Sequence, residues 1–135
     1  MANPSLVRKN ITQESAVVGS AAQVQAGLAT HTSITAALAS ISAGQSILLL
    51  AGTYTENVTM DKVGVYLIGQ GYSSYINGSL TFNASSDFSR VRDVRVNGNV
   101  DFQAGSQGCF LDGYQTQAST VTNSGTDNLY NLIGV

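Results

Sequence analysis

The chain has 135 residues and a formal net charge of −2, with only 10% charged residues against 43% hydrophobic ones. This composition gives one domain with a core of its own and excludes a disordered polyelectrolyte. It also argues against a nucleic-acid binder, since no basic stripe exists beyond Arg90, Arg92 and Arg95, and a single cysteine, Cys109, permits no intrachain disulfide.

Residues 1–32 are polar and small, and they read as an extended N-terminal arm. Leu6, Val7 and Ile11 are its apolar anchors, and Arg8 and Lys9 are suited to pair with acidic groups on a partner. The segment Val7 to Thr12 has strand character, but only against something else. Val24 and Leu28 have weak helical spacing. Met1 to Asn10 lacks the apolar core of a secretion signal.

Residues 33–42 read as a short amphipathic helix, with Ile34, Leu38 and Ile41 at i, i+4 and i+7. Thr32 or Ser33 can cap its start and Gly44 can end it. Such a helix suits the open end of a stack of coils. From Ile47 onward come short apolar runs closed by polar or Gly corners: Ile47 to Leu50, Asn57 to Met60, Val65 to Ile68, Leu80 to Phe82, Val91 to Val96, Val100 to Phe102, Cys109 to Leu111, Thr120 to Thr122 and Leu129 to Val135. The run at Ser46 to Ala51 is too short to span a membrane.

The runs repeat. Ile76-Asn77-Gly78-Ser79-Leu80-Thr81-Phe82 aligns, 20 residues on, with Val96-Asn97-Gly98-Asn99-Val100-Asp101-Phe102. A period of this length with one apolar face per strand is the signature of a solenoid, in which each coil buries its inward side chains only by stacking on the next. The fold class expected is all-β: a short right-handed parallel β-helix of about five coils over 33–135, with the helix as its cap. Phe82 and Phe102 occupy equivalent positions, so their rings are expected to stack. Leu129 to Val135 reads as an apolar end that requires cover from another copy or another protein.

Three strings strengthen this reading. Ile34-Thr35-Ala36-Ala37-Leu38, then Gly44-Gln45-Ser46-Ile47-Leu48-Leu49-Leu50-Ala51-Gly52-Thr53-Tyr54-Thr55-Glu56, then Val65-Tyr66-Leu67-Ile68-Gly69-Gln70-Gly71 together resemble the opening of the pectin-lyase-like right-handed parallel β-helix superfamily. Pectinesterases and phage tailspikes both begin in this way. The resemblance covers residues 33–82 and implies the scaffold. Its link to esterase chemistry is undercut further on. Gly98 to Gly105 and Asp112 to Thr116 are similar to the two strings that carry the pectinesterase carboxylates, but their order is reversed. Thr116 stands where the second acid belongs, and no basic residue follows Arg95; a threonine cannot donate a proton at neutral pH.

The remaining chemistry-bearing residues are few. Asp93, Asp101 and Asp112 fall on successive coils, and glycoside hydrolysis would need two such carboxylates to face each other; the plainer reading is solvated strand-face positions. His31, the sole histidine, has no Cys, Asp or Glu at ligand spacing, so no metal site, cofactor site or catalytic residue is expected. Cys109 reads as a buried coil residue. The tyrosines at 66, 72, 75, 114 and 130 are too scattered in sequence to define a sugar platform.

The functional expectation is a non-enzymatic structural subunit of a virus particle: a capsid decoration (cement) or tail-associated protein, localised to the virion. It would bind the major capsid protein or another virion protein through its arm and work as a homo-oligomer, a trimer by analogy with phage proteins of this scaffold. The alternatives are a carbohydrate-binding or adhesin module recognising a surface glycan, and a truncated polysaccharide-active enzyme.

Overall fold

Strands of three or four residues cannot stand alone as a sheet, and in the computed structural model they are stabilised by stacking. The structure describes residues 15–116 and 119–134. In chain order the elements are β1 (Ala16–Val18), α1 (Ala21–Gln25), α2 (Ile34–Ser40), β2 (Ser46–Leu49), β3 (Gly52–Tyr54), β4 (Val58–Met60) and β5 (Tyr66–Ile68). A 3-10 turn at Gly71–Ser73 follows, then β6 (Ser74–Ile76), β7 (Leu80–Phe82), β8 (Arg90–Val96), β9 (Val100–Phe102), β10 (Phe110–Gln115), β11 (Val121–Asn123) and β12 (Leu129–Gly134).

Every pairing between these strands is parallel. One eight-stranded sheet runs β1-β2-β5-β8-β10-β12, with β6 linking β3 to the far part of β8; a four-stranded sheet runs β4-β7-β9-β11. The chain is thus a parallel β-helix, and such crossovers wind right-handed almost without exception. It makes about four complete turns rather than five, because Leu129 to Gly134 contributes only β12 to the large sheet.

Part of the segment 1–32, read from sequence as an arm, packs on the solenoid. Ala16 and Val18 are buried, and β1 pairs with β2 in the register Ala16 to Ile47 and Val18 to Leu49. Thr30 holds this segment, its hydroxyl accepting from Val17 N (2.9 Å), and Thr30 N donates to Val17 O (2.8 Å). An alternating Ala-Val-Val triplet has too little sequence signal to be read as a strand until a neighbouring edge is available. Leu6, Val7, Arg8, Lys9 and Ile11 lie outside the described residues.

Helix α2 lies where the sequence places it. Ile34, Ala37, Leu38 and Ile41 are buried, and the helix packs against β1, β2 and β4, covering the exposed edge of the small sheet. Two side chains from the corners flanking β4 fix it. The Glu56 carboxylate accepts from Ile34 N (3.0 Å), Thr35 N (2.9 Å), Thr35 Oγ1 (2.7 Å) and Ser33 Oγ (3.2 Å). Lys62 Nζ donates to Leu38 O (2.5 Å) and Ile41 O (2.6 Å). Acid at the N-terminus and base at the C-terminus satisfy orphan backbone groups and match the helix dipole.

The repeat has a physical cause at each position. Gly98 N donates to Gly78 O (2.8 Å), and a Cβ on Gly98 would lie 2.5 Å from that carbonyl. The coils touch too closely here for any side chain. Beside them, Asn97 Nδ2 donates to Asn77 Oδ1 (2.8 Å), so the Asn-Gly corners stack as a ladder. Phe82 and Phe102 stack with ring centroids 4.6 Å apart and planes 10° from parallel, as expected.

At the last coil several inward positions turn polar, while Val121 and Leu132 still pack against the core. Gln115 lies in register with Val96, Asn123 with Phe102, and Tyr130 with Leu111. The Tyr130 ring sits 6.0 Å from that of Phe102. Asn128 is buried; it accepts from Cys109 N (2.8 Å) and donates to Ser106 Oγ (3.0 Å) and Asn123 Oδ1 (3.2 Å). The end is therefore partly dressed in polar groups. The apolar residues that suggested an open end, Leu129 and Ile133, point sideways from the large sheet, 66% and 58% exposed.

Candidate interaction face

Parallel register lines up the outward positions of the large sheet into three rows that cross the coils. The first is Ser46, Tyr66, Arg90, Phe110 and Leu129. The second is Val17, Leu48, Ile68, Arg92, Asp112 and Asn131. The third is Thr53, Tyr75, Arg95, Tyr114 and Ile133. The corresponding outward row of the small sheet is Thr59, Thr81, Asp101 and Thr122. One wall of the solenoid is polar, then, while the other carries aromatic and aliphatic side chains with arginines set among them.

Arg95 is the centre of the third row. Its guanidinium carbon lies 3.6 Å from the centroid of Tyr75 and 4.0 Å from that of Tyr72. Its NH1 donates to the Tyr72 hydroxyl (2.7 Å), and its Nε is buried without a partner. Among the described residues no carboxylate accepts a hydrogen bond from it. Tyr72 meets Tyr114 edge to face at 5.7 Å. A cation held between two rings is pre-oriented and only partly hydrated, which strengthens any contact it makes. Arg90 lies more loosely over Tyr66, at 5.4 Å.

The bulge in β8 makes this arrangement possible. Pairing between β8 and β10 slips at Asp112 and Gly113, leaving Asp93 as the extra residue, at φ 57°. Asparagine and aspartate tolerate this left-handed conformation better than most residues. The slip restores Arg95 to the outward side next to Tyr114.

The residues singled out from sequence fall elsewhere. Asp93 is the exposed bulge residue, Asp112 is half-buried beside Arg92 on the large sheet, and Asp101 is on the small sheet. Asp101 and Asp112 thus belong to different walls. His31 forms a main-chain bridge to Val18, and its Nδ1 lies 2.8 Å from Thr30 Oγ1. Cys109 is buried, with its Sγ 3.2 Å from Ser86 O. Among the described residues, no group of three or more His, Cys, Asp or Glu could hold a metal ion, and no helix is long and apolar enough to cross a membrane.

Two clefts lie on the described surface. One of about 350 Å³ is lined by Gly19, Thr32, Gly52 and Tyr54, and the other, about 410 Å³, by Gln115, Val121, Tyr130 and Leu132 at the last coil. Burial, and then the charge of Glu56, push the Tyr54 hydroxyl above its ordinary pKa of 10.0, and it donates to Leu50 O (2.8 Å) and Val18 O (3.2 Å). It works as a structural hydrogen-bond donor.

Sequence reasoning missed the Arg95 group because Tyr72, Tyr75 and Tyr114 come together only through register across three coils. The available signal was the spacing of Arg90, Arg92 and Arg95 in a strand otherwise made of valine and one aspartate, Asp93. Comparison with protein-family models, with curated proteins and with solved structures finds no match.

Proposed function

We propose that the chain is a non-enzymatic structural subunit of a virus particle, a decoration or tail-associated β-helix that docks sideways onto other protein through the outward face of its large sheet. The observation that carries this reading is the face itself, where tyrosine, phenylalanine and arginine stand in rows over a rigid parallel sheet. Tyrosine and arginine dominate the energetic centres of protein interfaces. A flat sheet face presents them as a surface rather than a pocket. The virion assignment rests on the opening strings, which resemble those of the pectin-lyase-like superfamily and its phage members. Leu6, Val7, Arg8, Lys9 and Ile11 would add a second attachment, and a trimer is the assembly expected by that analogy.

The test is reconstitution. Particles from the source that encodes the chain, stripped of it with chaotrope, should rebind the wild-type protein and not Phe110→Glu, which places a negative charge in the first outward row, between Arg90 and Leu129. Equal rebinding by both proteins refutes the docking face, and absence of the chain from purified particles refutes the virion assignment. A second reading is favoured by one observation: Tyr72 is 46% exposed beside an arginine that no carboxylate among the described residues engages, which suits an acidic sugar. Retention on a glycan array, lost in Arg95→Ala, would favour that reading.

A further inference from the structure

The docking face has two unlike edges. On the side where its strands end stands Arg95 with Tyr72, Tyr75 and Tyr114. On the side where its strands begin, the corners leading into β5, β8 and β12 carry Asp61, Asp87 and Asp127. The same corners expose Val63 and Phe88, 49% and 57% accessible. One edge thus presents Arg95 among aromatic rings; the other presents carboxylates and apolar side chains, with Arg90 lying over Tyr66 and Lys62 occupied by the carbonyls of Leu38 and Ile41.

Asp87 has a free oxygen to offer. Its Oδ1 accepts from Gln107 N (3.1 Å), and no hydrogen bond to Oδ2 is found among the described residues. Its corner opens β8, and Arg95 lies near the end of the same strand. Both therefore sit in one coil, at one height along the solenoid axis.

From this complementarity, and resting on the docking-face reading above, we infer that the face takes a second copy of this chain, parallel to the first, with Arg95 of one copy against Asp87 and Phe88 of the next. A rotation axis parallel to the solenoid axis leaves height unchanged and brings the strand-end edge of each copy to the strand-start edge of its neighbour. Every copy then gives one edge and receives the other, so the ring closes with no edge unmatched. An antiparallel pairing would set acid against acid and arginine against arginine. The parallel ring also supplies a counter-charge to Arg95, which takes none from the described residues of its own chain. Contacts of this kind govern which partner and which register are chosen.

Native mass spectrometry and sedimentation of the full chain test this. The wild type is expected as a closed oligomer. Arg95→Glu should weaken association on the order of tenfold or more, as should Asp87→Asn, which keeps the acceptor for Gln107 N. Arg95→Glu combined with Asp87→Arg should restore the wild-type mass. Circular dichroism establishes that each variant is folded, and Arg95→Gln replaces Arg95→Glu should the latter fail to fold. An oligomer that Phe110→Glu dissociates but that both charge variants leave intact overturns the edge pairing while leaving the docking face standing. A monomeric wild type overturns the pairing of copies, and the docking face is then judged by whether Phe110→Glu still rebinds stripped particles. Failure of the double variant to recover the oligomer lost in its folded parents overturns the Arg95–Asp87 contact.

Discussion

Replacing Glu56 by alanine should release helix α2 from the solenoid. The carboxylate accepts four hydrogen bonds, two of them from the backbone N–H groups of Ile34 and Thr35. Ile34 is fully buried, so its N–H has no ready access to water once the acceptor is gone. Hydrogen bonds to a charged group contribute about 1.5–3 kcal/mol each, and an orphaned buried donor costs about 1–3 kcal/mol. Glu56 itself is half-buried, and Ser33 Oγ still caps Ala36 N at 3.2 Å, so the sum is discounted. The expected loss is about 2–3 kcal/mol, which at a urea slope of about 1.5–2 kcal/mol/M moves the unfolding midpoint down by about 1–2 M. Glu56→Gln keeps an acceptor oxygen without the charge and should lose about half as much. Equilibrium urea denaturation of the three proteins, followed by circular dichroism, gives the comparison. A midpoint for Glu56→Ala within error of the wild type would refute the claim that this carboxylate holds the helix.

Three further outcomes are expected. Phe102→Ala removes the middle ring of the stack with Phe82 and Tyr130 and should cost about 3–5 kcal/mol in the same assay; a loss below about 1 kcal/mol would mean that the stack contributes little beyond filling space. Gly98→Ala forces a methyl against the Gly78 carbonyl and should destabilise by about 1–3 kcal/mol, whereas an unchanged midpoint would contradict the close coil contact. Tyr54 titrates above its ordinary value of 10.0 in the fold, so its hydroxyl contributes stability that is whole below that pH and is lost as pH rises through the higher folded value. Tyr54→Phe should therefore be less stable than the wild type at neutral pH and show a shallower loss above pH 10; parallel alkaline curves would rule this out.

The scaffold was legible where local chemistry repeats. Asn77-Gly78 and Asn97-Gly98 recur because stacked corners leave no room for a Cβ, and Phe82 and Phe102 recur because each fills the same place in the core. The opening strings join a helix to a later glutamate, and the structure gives the reason: Glu56 caps the helix that begins at Ile34. What could not be read depends on register. Ala16 to Val18 becomes a strand only because β2 offers an edge. Tyr75 and Tyr114 flank Arg95 only after the bulge at Asp93 shifts the pairing. Tyr130, grouped with them in sequence, lies over the last coil instead, half exposed and stacked toward Phe102. Leu129 and Ile133 read as a solenoid end because one-dimensional apolarity does not say which way a side chain points.

The central claim is that the outward face of the large sheet is a protein-docking surface. The most direct measurement is the solution mass of the wild-type chain beside that of Phe110→Glu, a substitution in the first outward row, between Arg90 and Leu129, that leaves the buried core residues unchanged. The account predicts a discrete oligomer for the wild type and a folded monomer for the variant. The same oligomer in both would contradict it, and so would a monomer in both together with equal rebinding of both to stripped particles.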